Sequence, residues 1–308
     1  MGKNWTKREF LSASLGAGVG LGVGHFLRGT EVDTASAQAG PTRSFGSPPA
    51  VGANVVRRQV TTTPLFKAPS DHPNGMEVDP DGRGVWVAQQ KLTEQTAAEY
   101  GLPVADDPAE AAWLMDWNGN LLETVMTESR NTSGMAVGGG YVWMAANAAP
   151  NGVFQTDMRS RTISHRQMPL GGGGNHGATY REDKLWLVST RLQGIVRVDP
   201  VTWVPEFMLP LYRWDRLHDV TFDDTGALWV VTGTRYSDRI EDDRGGVAKY
   251  DPQSGRLLEY AEFPDVQPDP HGLTFYDGAL YSCDAGIHPG WPGNHSRTSG
   301  YIFRIDLT

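Results

Sequence analysis

One short pattern recurs five times along this chain, and it restricts the possible folds more than any other feature of the sequence. A small residue or His opens a short apolar strand, a Gly/Asp turn follows, and a second strand carries an aromatic residue. The copies run from Asn74-Gly75-Met76 to Val85-Trp86-Val87, from Ser133-Gly134-Met135 to Val142-Trp143-Met144, from His176-Gly177-Ala178 to Leu185-Trp186-Leu187, from His218-Asp219-Val220 to Leu228-Trp229-Val230, and from His271-Gly272-Leu273 to Leu280-Tyr281-Ser282. A pattern repeated at this interval belongs to architectures in which each unit buries its apolar faces only against its neighbours.

Each copy is followed by a third strand closing on Asp, at Asp116, Asp157, Asp199, Asp251 and Asp306. An Asp there caps a turn by accepting backbone N–H groups. After the first four units comes a fourth strand, at 121–127, 162–168, 204–209 and 257–263; the fifth unit ends two residues past its third strand. A lone strand at Arg57–Phe66 is left without a hairpin partner, so it is assigned to the fifth unit, closing a ring. Radially arranged four-stranded sheets of this length define an all-β fold, the β-propeller, with five blades, or six if a long loop hides another. The aromatics Trp86, Trp143, Trp186, Trp229 and Tyr281 are expected between blades. A content of 37 Gly and 20 Pro suits such a turn-rich chain.

Residues 1–39 read as an export signal: basic Lys3, Lys7 and Arg8, a Gly-rich apolar run from Phe10 to Leu27, and the small-x-small sequence Ala37-Gln38-Ala39. Thr6-Lys7-Arg8-Glu9-Phe10-Leu11 is similar to a twin-arginine motif with Lys in the first basic position. The mature protein is therefore expected to be periplasmic or secreted, with no stable membrane span. Residues 40–56 form a flexible linker, and 57–308 a single propeller domain. A formal charge of −9 argues against nucleic-acid and anionic-membrane partners. The single cysteine, Cys283, excludes an internal disulfide and reads as a buried thiol.

The repeats Pro73-Asn74-Gly75-Met76-Glu77-Val78-Asp79-Pro80-Asp81-Gly82 and His218-Asp219-Val220-Thr221-Phe222-Asp223-Asp224-Thr225-Gly226-Ala227-Leu228-Trp229 resemble those of the virginiamycin B lyase, gluconolactonase and NHL-type propellers. The resemblance covers most of residues 74–306 but rests on the blade motif alone, which enzymes and binding proteins share, so it implies fold far more than function.

In a propeller the innermost strands line the axial channel, so equivalent strand starts converge. Here these are Asn74, Ser133, His176, His218 and His271, with His72 two residues before the first. His176, His218, His271 and His72 are the expected ligands of a divalent transition metal, Zn²⁺, Mn²⁺, Fe²⁺ or Cu²⁺, for which neutral imidazole is a suitable donor. The competing reading is that a His at a strand start only bonds a neighbouring carbonyl. The loops leaving the second strands offer Arg191, Arg235 and Tyr236, with His288 as a candidate base, and Asn74, Gln89 and Trp291 as substrate contacts. A planar guanidinium suits a substrate carboxylate.

Together these features lead to the expectation of an exported metal-dependent lyase acting on a small carboxylate- or ester-bearing substrate or a sugar acid. The resemblance implies elimination chemistry on a propeller, as in virginiamycin B lyase, whose catalytic region has no residue-by-residue counterpart here. Oligogalacturonate lyase is similar in its histidine-rich metal site but has more blades. The alternatives are a metal-dependent lactonase, an oxidative enzyme with a His-bound metal, and a non-catalytic exported ligand-binding propeller.

Overall fold

The structure, a computed structural model, describes residues 55–69, 72–89, 110–130, 132–147, 149–211, 217–232, 245–264, 269–286 and 300–308. The chain opens with β1 (Val56–Lys67). Blade one is β2 (Pro73–Val78), β3 (Val85–Gln89), β4 (Glu110–Met115) and β5 (Leu121–Thr127); blade two is β6 (Thr132–Gly138), β7 (Tyr141–Ala146), β8 (Gly152–Asp157) and β9 (Thr162–Arg166). Blade three is β10 (Ala178–Arg181), β11 (Lys184–Ser189), β12 (Gly194–Val198) and β13 (Pro205–Pro210); blade four is β14 (Leu217–Phe222), β15 (Leu228–Thr232), β16 (Gly246–Tyr250) and β17 (Leu257–Glu262). In blade five, β18 (Pro270–Tyr276), β19 (Ala279–Asp284) and β20 (Tyr301–Leu307) are joined by β1, antiparallel to β20 with Thr62 opposite Ile305.

β1 does more than the sequence suggests. Ahead of Val60 it pairs in parallel with β17, Val56 opposite Glu259 through Gln59 opposite Glu262. One strand thus lies along the outer edges of two blades.

The second-strand aromatics sit between blades, each in its own apolar layer. Trp86 packs with Met135 and Val137 of blade two, Trp143 with Leu185 and Leu187 of blade three, and Trp186 with Val220 and Leu228 of blade four. Trp229 packs with Leu273 and Leu280 of blade five, and Tyr281 with Met76 and Val85 of blade one. Buried indole N–H groups need acceptors. Asp79 accepts from Trp86 Nε1 at 2.9 Å, the Gly138 carbonyl from Trp143 at 3.1 Å, and Asp223 from Trp229 at 2.9 Å. Asp116, Asp157, Asp199 and Asp251 cap their turns through backbone N–H groups two to four residues on, as their place in the repeat implies.

Inner strands meet at glycine. A Cβ on Gly75 would come within 2.6 Å of the Gly134 backbone, one on Gly134 would strike Gly177, and one on Gly272 would lie 2.7 Å from Met76 Cγ. No side chain fits between strands this close, which is why four of the five repeats carry Gly after the opening residue. Among the described residues no helix is long and apolar enough to cross a membrane.

Candidate functional site at the channel mouth

In four of the five repeats the opening residue is displaced from the regular two-residue alternation of its strand. Pairing of the inner with the second strand shifts between Pro73 and Gly75, Thr132 and Gly134, Leu217 and Asp219, and Pro270 and Leu273. The skipped residues include Asn74, Ser133, His218 and His271. A β-bulge re-aims the side chain at the extra position, so a repeated bulge gives equivalent strand starts a common direction.

That geometry brings three imidazoles together. The ring centroids of His218 and His271 lie 3.9 Å apart, those of His176 and His218 4.6 Å, and those of His176 and His271 6.2 Å. His218 and His271 are buried at 1% and 3% exposure, whereas His176 is partly open. The cluster is drawn from three separate blades, with His218 and His271 at bulged strand starts and His176 two residues ahead of β10.

Hydrogen bonds select the tautomers. His176 Nδ1 bonds the His218 carbonyl at 3.3 Å, His271 Nδ1 the Asp269 carbonyl at 3.2 Å, and His72 Nδ1 the Ala285 carbonyl at 2.9 Å. A carbonyl can only accept, so in neutral rings the proton sits on Nδ1 and the lone pair on Nε2. His72 is joined to the cluster through the backbone: Ala285 N–H and His271 Nδ1–H both donate to the Asp269 carbonyl. The Asp269 carboxylate is also 3.4 Å from His271 Nδ1, and Asp284 accepts the Asp269 N–H at 2.9 Å.

Imidazole nitrogen is a suitable donor type for a transition metal, and in His176, His271 and His72 the Nδ1 bond leaves the Nε2 lone pair as the donor. Three imidazoles on one ion hold their centroids about 5 Å apart for metal–nitrogen bonds of ~2.0–2.1 Å, a value the three observed separations bracket. Among the described residues no three His, Cys, Asp or Glu side chains already stand arranged around a common point for an ion.

Other expected contacts divide. Asn74 is buried at the first strand start, and Gln89 ends β3 opposite Pro73, beside it. Arg191 lies on the open surface with its side chain against Gly173, in the Gly-rich approach to His176: a Cβ on Gly173 would be 3.3 Å from Arg191 Cδ. Arg235, Tyr236, His288 and Trp291 lie outside the described residues, as do residues 1–39 and most of the linker. Cys283 is buried, receives the Gly272 N–H at 3.1 Å and donates to the Pro73 carbonyl at 3.3 Å; burial pushes its thiol well up, away from nucleophilic use.

Two acids in the hub escaped the sequence reading. Glu77 reaches from β2 to β10 of blade three, accepting from Thr179 Oγ1 at 2.7 Å and from the Tyr180 N–H at 3.3 Å. Burial pushes its carboxyl up to about 8 against these bonds, so it is neutral at pH 7. Asp219, fully buried, follows His218; burial raises its carboxyl too, opposed by three N–H donors. The signal available was local: Asp219 stands where the other four copies have Gly.

The fold and the ring of strand starts define a β-propeller with a histidine-lined hub. Its architecture is similar to that of glutaminyl cyclase from Myxococcus xanthus, with a TM-score of 0.56 at 11% identity over 82% of this chain and 98% of that one. Virginiamycin B lyase from Staphylococcus aureus aligns at TM-score 0.41 and 14% identity over 81% and 100% of the two chains. A luciferin-regenerating enzyme aligns at 0.48 and 12%, over 80% and 95%. No family model and no curated protein matches the sequence. The structural likeness establishes the propeller fold that the repeat motif resembles, and enzymes are among the proteins that share it.

Proposed function

We propose that this chain is an exported enzyme, a metal-dependent lyase for a small carboxylate- or ester-bearing substrate or sugar acid, working at the histidine cluster. The observation that carries the reading is the meeting of His176, His218 and His271 from three blades, with separations of 3.9 to 6.2 Å. These three, with His72 beside them, would hold the ion through Nε2. A divalent transition metal there supplies Lewis acidity toward a substrate carbonyl and stabilises the charge that develops when the α-proton leaves. Arg191, next to the approach to His176, would orient the substrate carboxylate by paired hydrogen bonds. Arg235 and Tyr236 are proposed to complete that grip, His288 to take the proton, and Trp291 to wall the site. The low exposure of His218 and His271 keeps bulk water from two of the three rings.

A second reading has its own support. Asp269 and Asp284 are buried near His271, and Asn74 occupies an equivalent strand start. Carboxylate and amide oxygens suit a harder cation, which favours metal-dependent hydrolysis of a lactone at the same mouth.

Metal analysis of protein purified without a histidine tag, followed by assays on lactones and on esters able to eliminate, tests both. The lyase reading expects about one transition metal per chain, lost on His218→Gln, and an unsaturated product. A saturated hydroxy acid as product selects the hydrolase. No bound metal, and no activity restored by Zn²⁺, Mn²⁺, Fe²⁺ or Cu²⁺, leaves a ligand-binding propeller.

A further inference from the structure

Asp219 is the one residue at the second position of an inner strand that carries a side chain; Gly75, Gly134, Gly177 and Gly272 occupy the equivalent places. The glycines are forced by close approach, as a Cβ on Gly177 would lie 2.5 Å from Asp219 Oδ1. The carboxylate of Asp219 therefore fills space its neighbour leaves open. What it bonds there is specific. Oδ1 accepts the N–H of Ala178 at 3.1 Å and of Val220 at 2.9 Å, and Oδ2 accepts the N–H of Leu273 at 3.0 Å. Ala178, Val220 and Leu273 each lie two residues after a cluster histidine: His176, His218 and His271.

We infer that Asp219 is the positioning residue of the site: a single carboxylate ties together the three strands that bear the imidazoles and so sets the rings' mutual placement. The inference rests on the reading of the cluster as the working site, though not on which reaction it performs. Backbone bonds within a blade fix each histidine relative to its own sheet. Among the described bonds, those from Asp219 join the three histidine-bearing strands two residues below the rings, where a shift of one blade against the next would be felt at the cluster. An acidic side chain suits this role because both of its oxygens accept, so three N–H groups can converge on it.

The test uses two variants of the full chain. Asp219→Asn keeps the shape but offers one acceptor oxygen to three donors, and Asp219→Gly installs the residue of the other four strands. Each is compared with wild type by circular dichroism, by Co²⁺ titration followed through the cobalt visible bands, and by ¹⁵N resonances of the imidazole rings. The expected result is a folded protein whose three ring signals move together and whose Co²⁺ affinity falls about 10–100-fold, the usual cost of removing an outer-shell support. A folded variant with unchanged ring signals and unchanged affinity overturns the inference. Loss of the fold in both variants also overturns it, since Asp219 would then hold the ring rather than the cluster. Failure of the metal reading is separable: wild type would take up no Co²⁺, yet the ring signals would still shift in Asp219→Asn.

Discussion

Glu77 shows how strongly the hub acts on a single residue. Its carboxyl titrates near 4.5 when solvated and at about 8 in the fold, because burial penalises the charged form more than Thr179 and Tyr180 favour it. Between those values the native state keeps a proton that the unfolded chain has released. Stability from this group is therefore complete below about 4.5 and declines as pH rises toward 8, by up to about 1.4 kcal/mol per unit. Glu77→Gln keeps a neutral acceptor for both donors, and urea melts are expected to show a flatter pH dependence than wild type, with the variant gaining relative stability toward pH 8. Parallel curves for the two proteins would contradict the burial argument. Gly177→Ala addresses the same hub sterically: its Cβ would meet Asp219 Oδ1 at 2.5 Å, and a loss of about 1–3 kcal/mol is expected by chemical denaturation. The histidines were legible in the sequence because three repeats place them at one register. Asp219 and Glu77 were not, because a buried residue that differs from its counterparts in other copies carries no periodic signal, and the partners each finds on other strands lie 41 to 103 residues away.

Among the elements, the blade-to-blade layers carry the packing and the Asp caps shape the turns. Asp79 and Asp223 do both, accepting turn N–H groups and a buried indole N–H. Burial works against the charge on Asp223, but Lys249 at 2.7 Å, Thr225 and Trp229 outweigh it and bring the carboxyl down to about 2. Its contribution is present above about 3.8 and is lost as pH falls through about 2. Asp223→Ala is expected to cost about 3 kcal/mol at neutral pH by leaving Lys249 and Trp229 without this acceptor, and Asp116→Ala, whose carboxylate caps an exposed turn, is expected to cost clearly less. Equal losses in thermal melts would show that the indole layer does not depend on its Asp. Strand order and the aromatic positions followed directly from the repeat. The bulges that aim the strand starts did not, since one inserted residue in a short strand leaves apolar alternation readable on either side of it.

At the level of the whole molecule, β1 pairs the first described segment with the last. The need for a strand to complete blade five was legible, because an unpartnered strand and an incomplete unit were both visible. The parallel segment of β1 on β17 was not, because parallel pairing with a strand some 200 residues distant leaves no local pattern. Val60, buried at 3% exposure in the layer of Trp229 and Phe303, is where β1 passes from one partner to the other. Val60→Asp is expected to abolish cooperative unfolding or lower its midpoint by more than 10 °C, roughly the effect of a loss above 3 kcal/mol, while Arg58→Ala on the exposed face changes it little. A small effect at Val60 would mean that the ring holds without this clasp. The most direct test of the central claim, that separate blades deliver imidazoles to one ion, is X-ray absorption at the metal edge of protein loaded with Zn²⁺. The account expects nitrogen neighbours at about 2.0–2.1 Å with the outer scattering of three imidazoles, reduced by one ring in His218→Gln; a shell of oxygen alone, or a spectrum indifferent to substitution of His176, His218 and His271, would contradict it.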